Sequence, residues 1–159
     1  MRHITLRRTL PVETAVAFAW FTDYTPDDSA IFGDPPGGRE VERLGDGRLR
    51  LRNRYPGSRL SEETEVILHP PDSWEGAGTL YYGRFRVAEY TQKWILSNVT
   101  GGCELLMSLD LDITSYAVRI YLFLRPNFIS DEIEKHYDRI KEGLIRDMSE
   151  TPSRAPSST

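Results

Sequence analysis

Sulfur chemistry is nearly missing from this chain. One cysteine, Cys103, stands among 159 residues, so neither an internal disulfide nor a cysteine-built zinc site can form within one chain. Such usage predicts a reducing, cytoplasmic setting. No run of about 18 apolar residues occurs, which excludes a membrane-spanning helix. The opening Met1-Arg2-His3-Ile4-Thr5-Leu6-Arg7 alternates polar and apolar and lacks the apolar stretch of a secretory leader. Lysine is scarce (Lys93, Lys135, Lys141), so the 20 basic side chains are mostly arginine. Against 24 acids they leave a net charge of −4, which disfavours nucleic acid as a partner. No GxGxxG or HExxH motif is present. The glycines of Gly33-Asp34-Pro35-Pro36-Gly37-Gly38 are interrupted by prolines that withhold the amides a phosphate cradle needs. The three histidines, His3, His69 and His136, are far apart and would have to converge with carboxylates such as Glu89 or Asp110 to hold a metal. No metal and no cofactor is therefore expected.

What is present is an ordinary globular composition, 39% hydrophobic and 28% charged, enough for one domain over residues 1–150. The tail 151–159, Thr-Pro-Ser-Arg-Ala-Pro-Ser-Ser-Thr, reads as a disordered end. Residues 2–9 alternate as a strand. Pro11 then introduces a helix from Val12 to Phe21, with Val12, Ala15/Val16, Ala19 and Trp20 as its apolar face. Thr25-Pro26 opens a second short helix that must end by Gly33. Strands follow at 40–44, 48–55, 62–69, 74–82, 84–97 and 103–113. Gly45-Asp46-Gly47, Pro56-Gly57-Ser58, Pro70-Pro71-Asp72 and Thr100-Gly101-Gly102 supply turns between them. Those gaps are too short for crossovers, so the strands form an antiparallel meander. Ser130, as N-cap, opens a terminal helix to about 149, where Ile133, Tyr137, Ile140, Leu144 and Met148 make one apolar stripe.

A strand, two short helices, about six antiparallel strands and a long terminal helix make an α+β chain. The opening strand followed by Leu10-Pro11-Val12-Glu13-Thr14-Ala15-Val16-Ala17-Phe18-Ala19-Trp20, and the turn His69-Pro70-Pro71-Asp72-Ser73-Trp74, carry the same order. The chain resembles the START-like (SRPBCC) superfamily, which includes pollen-allergen-type proteins, lipid-transfer domains and polyketide cyclases. The resemblance implies the helix-grip fold, a curved antiparallel sheet of about seven strands wrapped around the C-terminal helix. It also implies a cavity for a small hydrophobic molecule: a lipid, polyketide or isoprenoid-like compound. A binding domain comes before an enzyme, because none of these patterns is a catalytic motif.

Within such a cavity Tyr55, Trp74, Tyr82, Trp94, His136 and Tyr137 are the expected ligand-binding residues, with Tyr90 a further aromatic that could face it. They equally suit a filled core, which would make the protein an interaction module. A cyclase or dehydratase would move protons with His136, a tyrosine or Glu89. Glu62, Glu63 and Glu65 form an acidic cluster whose paired carboxylates could do acid–base work; in the simpler account Glu63 and Glu65 share a face opposite Arg48, Arg50, Arg52 and Arg54 and pair with them across strands. Cys103 reads as a small apolar residue in line with Leu105 and Met107. The greasy segment 116–124 stays open between a last strand, a covered core helix, a lid, and a surface that touches a membrane or a second subunit.

Overall fold

A computed structural model describes residues 1–25, 38–55, 57–125 and 127–150. The expected second short helix after Thr25, the residues Pro56 and Pro126, and the tail 151–159 lie wholly or mainly outside them. Seven strands run β1 (Arg2–Leu10), β2 (Arg39–Gly45), β3 (Arg48–Arg54), β4 (Leu60–His69), β5 (Ser73–Tyr82), β6 (Phe85–Val99) and β7 (Gly102–Ile113). They form one antiparallel sheet in the order β1-β7-β6-β5-β4-β3-β2, the expected meander closed at one edge by the first strand. Tight turns make this order possible. Gly45, Asp46 and Gly47 all have positive φ (87°, 50° and 72°), so the β2–β3 hairpin uses glycine where a side chain would be strained.

Strand alternation divides the sheet into two faces. The outer face carries the arginine row, paired as expected. Arg50 bonds Glu65 at 3.0 Å and Glu42 at 3.2 Å, and Arg52 bonds Glu63 at 3.1 Å. The inner face carries Leu6, Leu10, Leu49, Leu51, Val66, Trp74, Leu96, Leu105 and Met107, all buried. Cys103 is completely buried among them, and burial pushes its thiol pKa up, so it is packing rather than a nucleophile.

Three helices stand among the described residues: α1 (Thr14–Thr22), α2 (Tyr116–Leu124) and α3 (Phe128–Glu150). α1 begins two residues later than expected, because Glu13 is still extended and its carbonyl accepts the Ala17 N–H at 3.0 Å. Its buried face is only partly the expected one. Val12 and Trp20 pack against the core as expected, and Ala17 is fully buried with Phe18 and Phe21 on Trp74, while Ala15, Val16 and Ala19 face outward. The helix is apolar all round, so periodicity alone has no contrast with which to choose a face. α3 begins at Phe128, not at a Ser130 cap; the Asn127 carbonyl accepts the Asp131 N–H at 2.9 Å. Its stripe lands as read for Tyr137, Ile140 and Leu144, whereas Met148 is 40% exposed.

The segment 116–124 is a helix and not a last strand. Both edges of β7 are already taken by β6 and β1, which leaves no ladder for an eighth strand there. Nor is it a covered core helix. Leu122 is its one buried residue, against a small cluster of Ala88, Tyr90, Leu111 and Ile113, while Tyr116, Phe123 and Leu124 are largely exposed. No helix among the described residues is long and apolar enough to cross a membrane.

Candidate functional site

Between the inner face and helices α1 and α3 lies a cavity of about 440 Å³. One wall is aromatic. Trp74 and Trp94 are direct cross-strand partners on β5 and β6, and their rings stack at 5.3 Å and 17°. Phe21 from α1 packs against both tryptophans, 5.4 Å from Trp74 and 6.2 Å from Trp94, and Tyr137 from α3 stacks on Trp94 at 5.4 Å. Four rings from four elements thus form one aromatic cluster. Trp20 adds to the wall, its indole N–H bound to Asp147 at 3.0 Å, which ties α1 to α3.

A second wall is polar and built by sheet register. Thr64, Gly78 and Tyr90 are successive partners across β4, β5 and β6. A Cβ on Gly78 would lie 2.5 Å from the Tyr90 hydroxyl and Cζ, so only glycine lets the Tyr90 ring lie across β5. Laid down in this way, the Tyr90 hydroxyl donates to Glu62 Oε1 and lies 2.5 Å from Thr64 Oγ1. The Glu62 carboxylate also accepts Asn53 Nδ2 at 2.7 Å and the Tyr55 hydroxyl at 3.1 Å. Arg39 Nε in turn donates to Asn53 Oδ1 at 2.9 Å. Burial first, then the charge and hydrogen bond of Glu62, hold the Tyr90 phenol protonated far above its ordinary range. The pair therefore sets a neutral phenol beside a carboxylate on the cavity wall, where the carboxylate can accept a hydrogen bond or a proton.

Of the residues expected to bind ligand, Trp74, Trp94 and His136 line the cavity. Tyr137 stacks on Trp94 without lining the cavity, and Tyr55 reaches Glu62 from the end of β3. Tyr82 is 52% exposed and does not line it. It keeps the register of Trp74 but lies at the far end of β5, beyond the residues that line the cavity. Glu89 is on the outer face, bonded to Arg86 at 2.6 Å. Sequence reading weighed Glu62 only as part of the acidic cluster with Glu63 and Glu65, and passed over Thr64 and Asn53. The available signal was strand parity: Glu62 shares its face with Thr64 and Val66, not with Glu63 and Glu65. Among the described residues no group of three or more His, Cys, Asp or Glu side chains could hold a metal ion.

No protein-family model and no curated protein sequence matches the chain. Solved structures do match it in shape. An uncharacterised protein from Rhizobium leguminosarum superposes with a TM-score of 0.70 at 16% identity, covering 91% of this chain and 95% of that one. Ara h 8.0201 superposes at 0.67 and 11% identity, covering 91% and 98%. The di-domain ARO/CYC BexL from the BE-7585A biosynthetic pathway superposes at 0.66 and 11% identity, covering 89% of this chain and 49% of that one. At such identities the likeness is one of fold. The fold is a helix-grip, an open seven-stranded antiparallel sheet with a C-terminal helix.

Proposed function

We propose that this chain is a START-like binding domain of the SRPBCC superfamily that holds a small, mainly apolar, ring-bearing molecule between its sheet and α3. The observation that carries the reading is the cavity of about 440 Å³ beside the aromatic cluster. Sites for small organic ligands span roughly 300–1,000 Å³ and combine apolar walls with a few convergent polar groups. The cluster also makes the site rigid, because four interlocked rings lose little freedom when a ligand enters. A filled core, as an interaction module would have, leaves no such space. The test is binding. An environment-sensitive apolar dye should quench the tryptophan fluorescence, and a ligand retained through purification should appear in native mass spectrometry. Absence of both at high micromolar dye concentration would overturn the proposal.

A second reading has its own observation. Glu62 and Tyr90 are hydrogen-bonded inside the same cavity, where a carboxylate could take a proton from a bound molecule. That supports an acid–base enzyme of the cyclase or dehydratase kind, in line with the name of the ARO/CYC neighbour. His136, at the α3 side of the cavity, is the other candidate proton carrier. Glu62→Gln would abolish turnover and leave the apolar body of the substrate bound if this reading holds. Unchanged turnover in that variant would refute it.

A further inference from the structure

We infer that α2 and the β5–β6 hairpin dock this protein on an anionic lipid surface, a partner independent of the molecule in the cavity. Charge is segregated along the chain. Residues 55–61, 79–88 and 114–130 hold five arginines, Arg59, Arg84, Arg86, Arg119 and Arg125, and no aspartate or glutamate. The other 15 basic side chains stand against all 24 acids, so an acidic protein carries a purely basic region. The fold brings the three segments together. The Gly83 N–H donates to the Arg59 carbonyl at 2.7 Å, which joins the β3–β4 turn to the β5–β6 hairpin. The Thr114 and Ser115 N–H groups both donate to the Val87 carbonyl, at 3.0 and 3.2 Å, which sets the start of α2 beside the same hairpin.

These arginines differ from those of the outer sheet face. Arg48, Arg50, Arg52 and Arg54 each have a carboxylate partner. Arg59, Arg84, Arg119 and Arg125 are exposed and form no ion pair among the described residues, and of the five only Arg86 meets a carboxylate, Glu89. The acid at the near end of β7, Asp112, is engaged by the Met1 amino group at 4.0 Å. Apolar surface coincides with this charge. Apart from Met1, the four most exposed large hydrophobic side chains described are Phe123 (81%), Tyr116 (78%), Leu124 (72%) and Phe85 (64%), and all four lie in the basic region. Arg84 stands over the Phe85 ring at 5.3 Å. α2 is anchored in this pose by buried Leu122 and by Arg119 Nε, which donates to the Ile113 carbonyl at 2.5 Å.

A membrane interface takes this combination: aromatic rings settle at the acyl boundary while guanidinium groups reach the headgroup phosphates. A helix of nine residues is too short to cross a bilayer but can lie in its surface. A second copy docked two-fold on the same patch would set arginine against arginine. The carboxylates on the outer sheet face of another copy are already paired with its own arginines. An anionic bilayer supplies both the missing negative charge and the apolar layer.

The test is co-sedimentation of the full chain with vesicles of phosphatidylcholine alone and of an equimolar mixture with phosphatidylserine. The mixture should be bound about tenfold or more tighter, and binding should weaken as salt rises. Phe123→Ser/Leu124→Ser and Arg84→Glu/Arg125→Glu change exposed side chains, so each should keep the wild-type Tm and lose about tenfold or more in binding to the mixture. Arg48→Glu/Arg54→Glu, the same change in charge on the outer sheet face, should keep most of the binding. Equal loss in that control would overturn the inference, because net charge and not the patch would then govern binding. So would absence of binding to the mixture, or binding unchanged in both patch variants. A dimer that Phe123→Ser/Leu124→Ser dissolves, or a single-stranded oligonucleotide that Arg84→Glu/Arg125→Glu releases, with no vesicle binding in either case, would overturn it by giving the patch another occupant. None of these outcomes bears on the cavity reading, on which this inference does not rest.

Discussion

Tyr137 offers a perturbation whose sign is opposite to that of most core substitutions. Its side chain is 3% exposed, its ring stacks on Trp94 at 5.4 Å, and its hydroxyl is buried with no hydrogen-bond partner among the described residues. An unpartnered buried hydroxyl costs about 1–3 kcal/mol. Tyr137→Phe removes that hydroxyl and keeps the ring, the stack and the buried area, so the variant should be more stable by about 1 kcal/mol or more. For a chain of this length that is about 2–4 °C in Tm. Tyr137→Ala, which removes the ring as well, should instead lose about 3–5 kcal/mol. A pH series adds an independent signature. Burial raises the folded pKa of Tyr137 well above its ordinary value of 10.0. The contribution of a phenol held protonated in the fold is complete below about pH 10, where the unfolded chain is also protonated. Above it the unfolded state ionises and the fold does not, so stability falls by about 1.4 kcal/mol per pH unit. Phenylalanine has no such loss, and the advantage of the variant should therefore widen above pH 10. Urea unfolding followed by tryptophan fluorescence between pH 8 and 11 measures both effects. A variant less stable than wild type by 1 kcal/mol or more, or an advantage that does not change across that range, would refute the reasoning.

Gly78→Ala should destabilise the protein by about 1–3 kcal/mol and weaken dye binding, since the new methyl would displace the Tyr90 ring from Glu62. Chemical denaturation and dye titration check it, and wild-type behaviour would show that the Tyr90 ring has room to move. Ile140→Asp places an unpaired charge at a site 4% exposed on α3 and should cost several kcal/mol; an unchanged melting temperature would contradict the packing of α3 on the sheet. Cys103, fully buried and with its thiol pKa raised by burial, should react with a thiol reagent only as fast as the chain opens, so its labelling rate should rise with urea. Rapid labelling of the native protein would place the thiol at the surface.

The candidate site was only partly legible from residue order, and particular residues show why. Trp74 and Trp94 could be assigned to a cavity because each is a large aromatic on an alternating strand. Their stacking could not, because it depends on the pairing of β5 with β6 residue by residue. Glu62 sits next to Glu63 in the chain, and adjacency suggested one acidic cluster. The sheet separates them onto opposite faces, with Glu63 on Arg52 and Glu62 on Tyr90, Tyr55 and Asn53. Tyr82 has the right parity and lies at the exposed end of β5, beyond the cavity, which no local pattern reports.

Local chemistry was enough for the meander, the outer charge ladder and the buried stripe of α3. Turn residues, period-two alternation and three-four spacing are all written within a few neighbouring positions. Tertiary structure alone decided which face α1 buries, that 116–124 is an exposed helix, and that a carboxylate on β4 meets a phenol on β6. Each of these is a contact between residues far apart in the chain. The first two turn on segments too uniformly apolar for periodicity to mark a buried side. The third turns on register, where a shift of one residue would send Glu62 to the other face of the sheet.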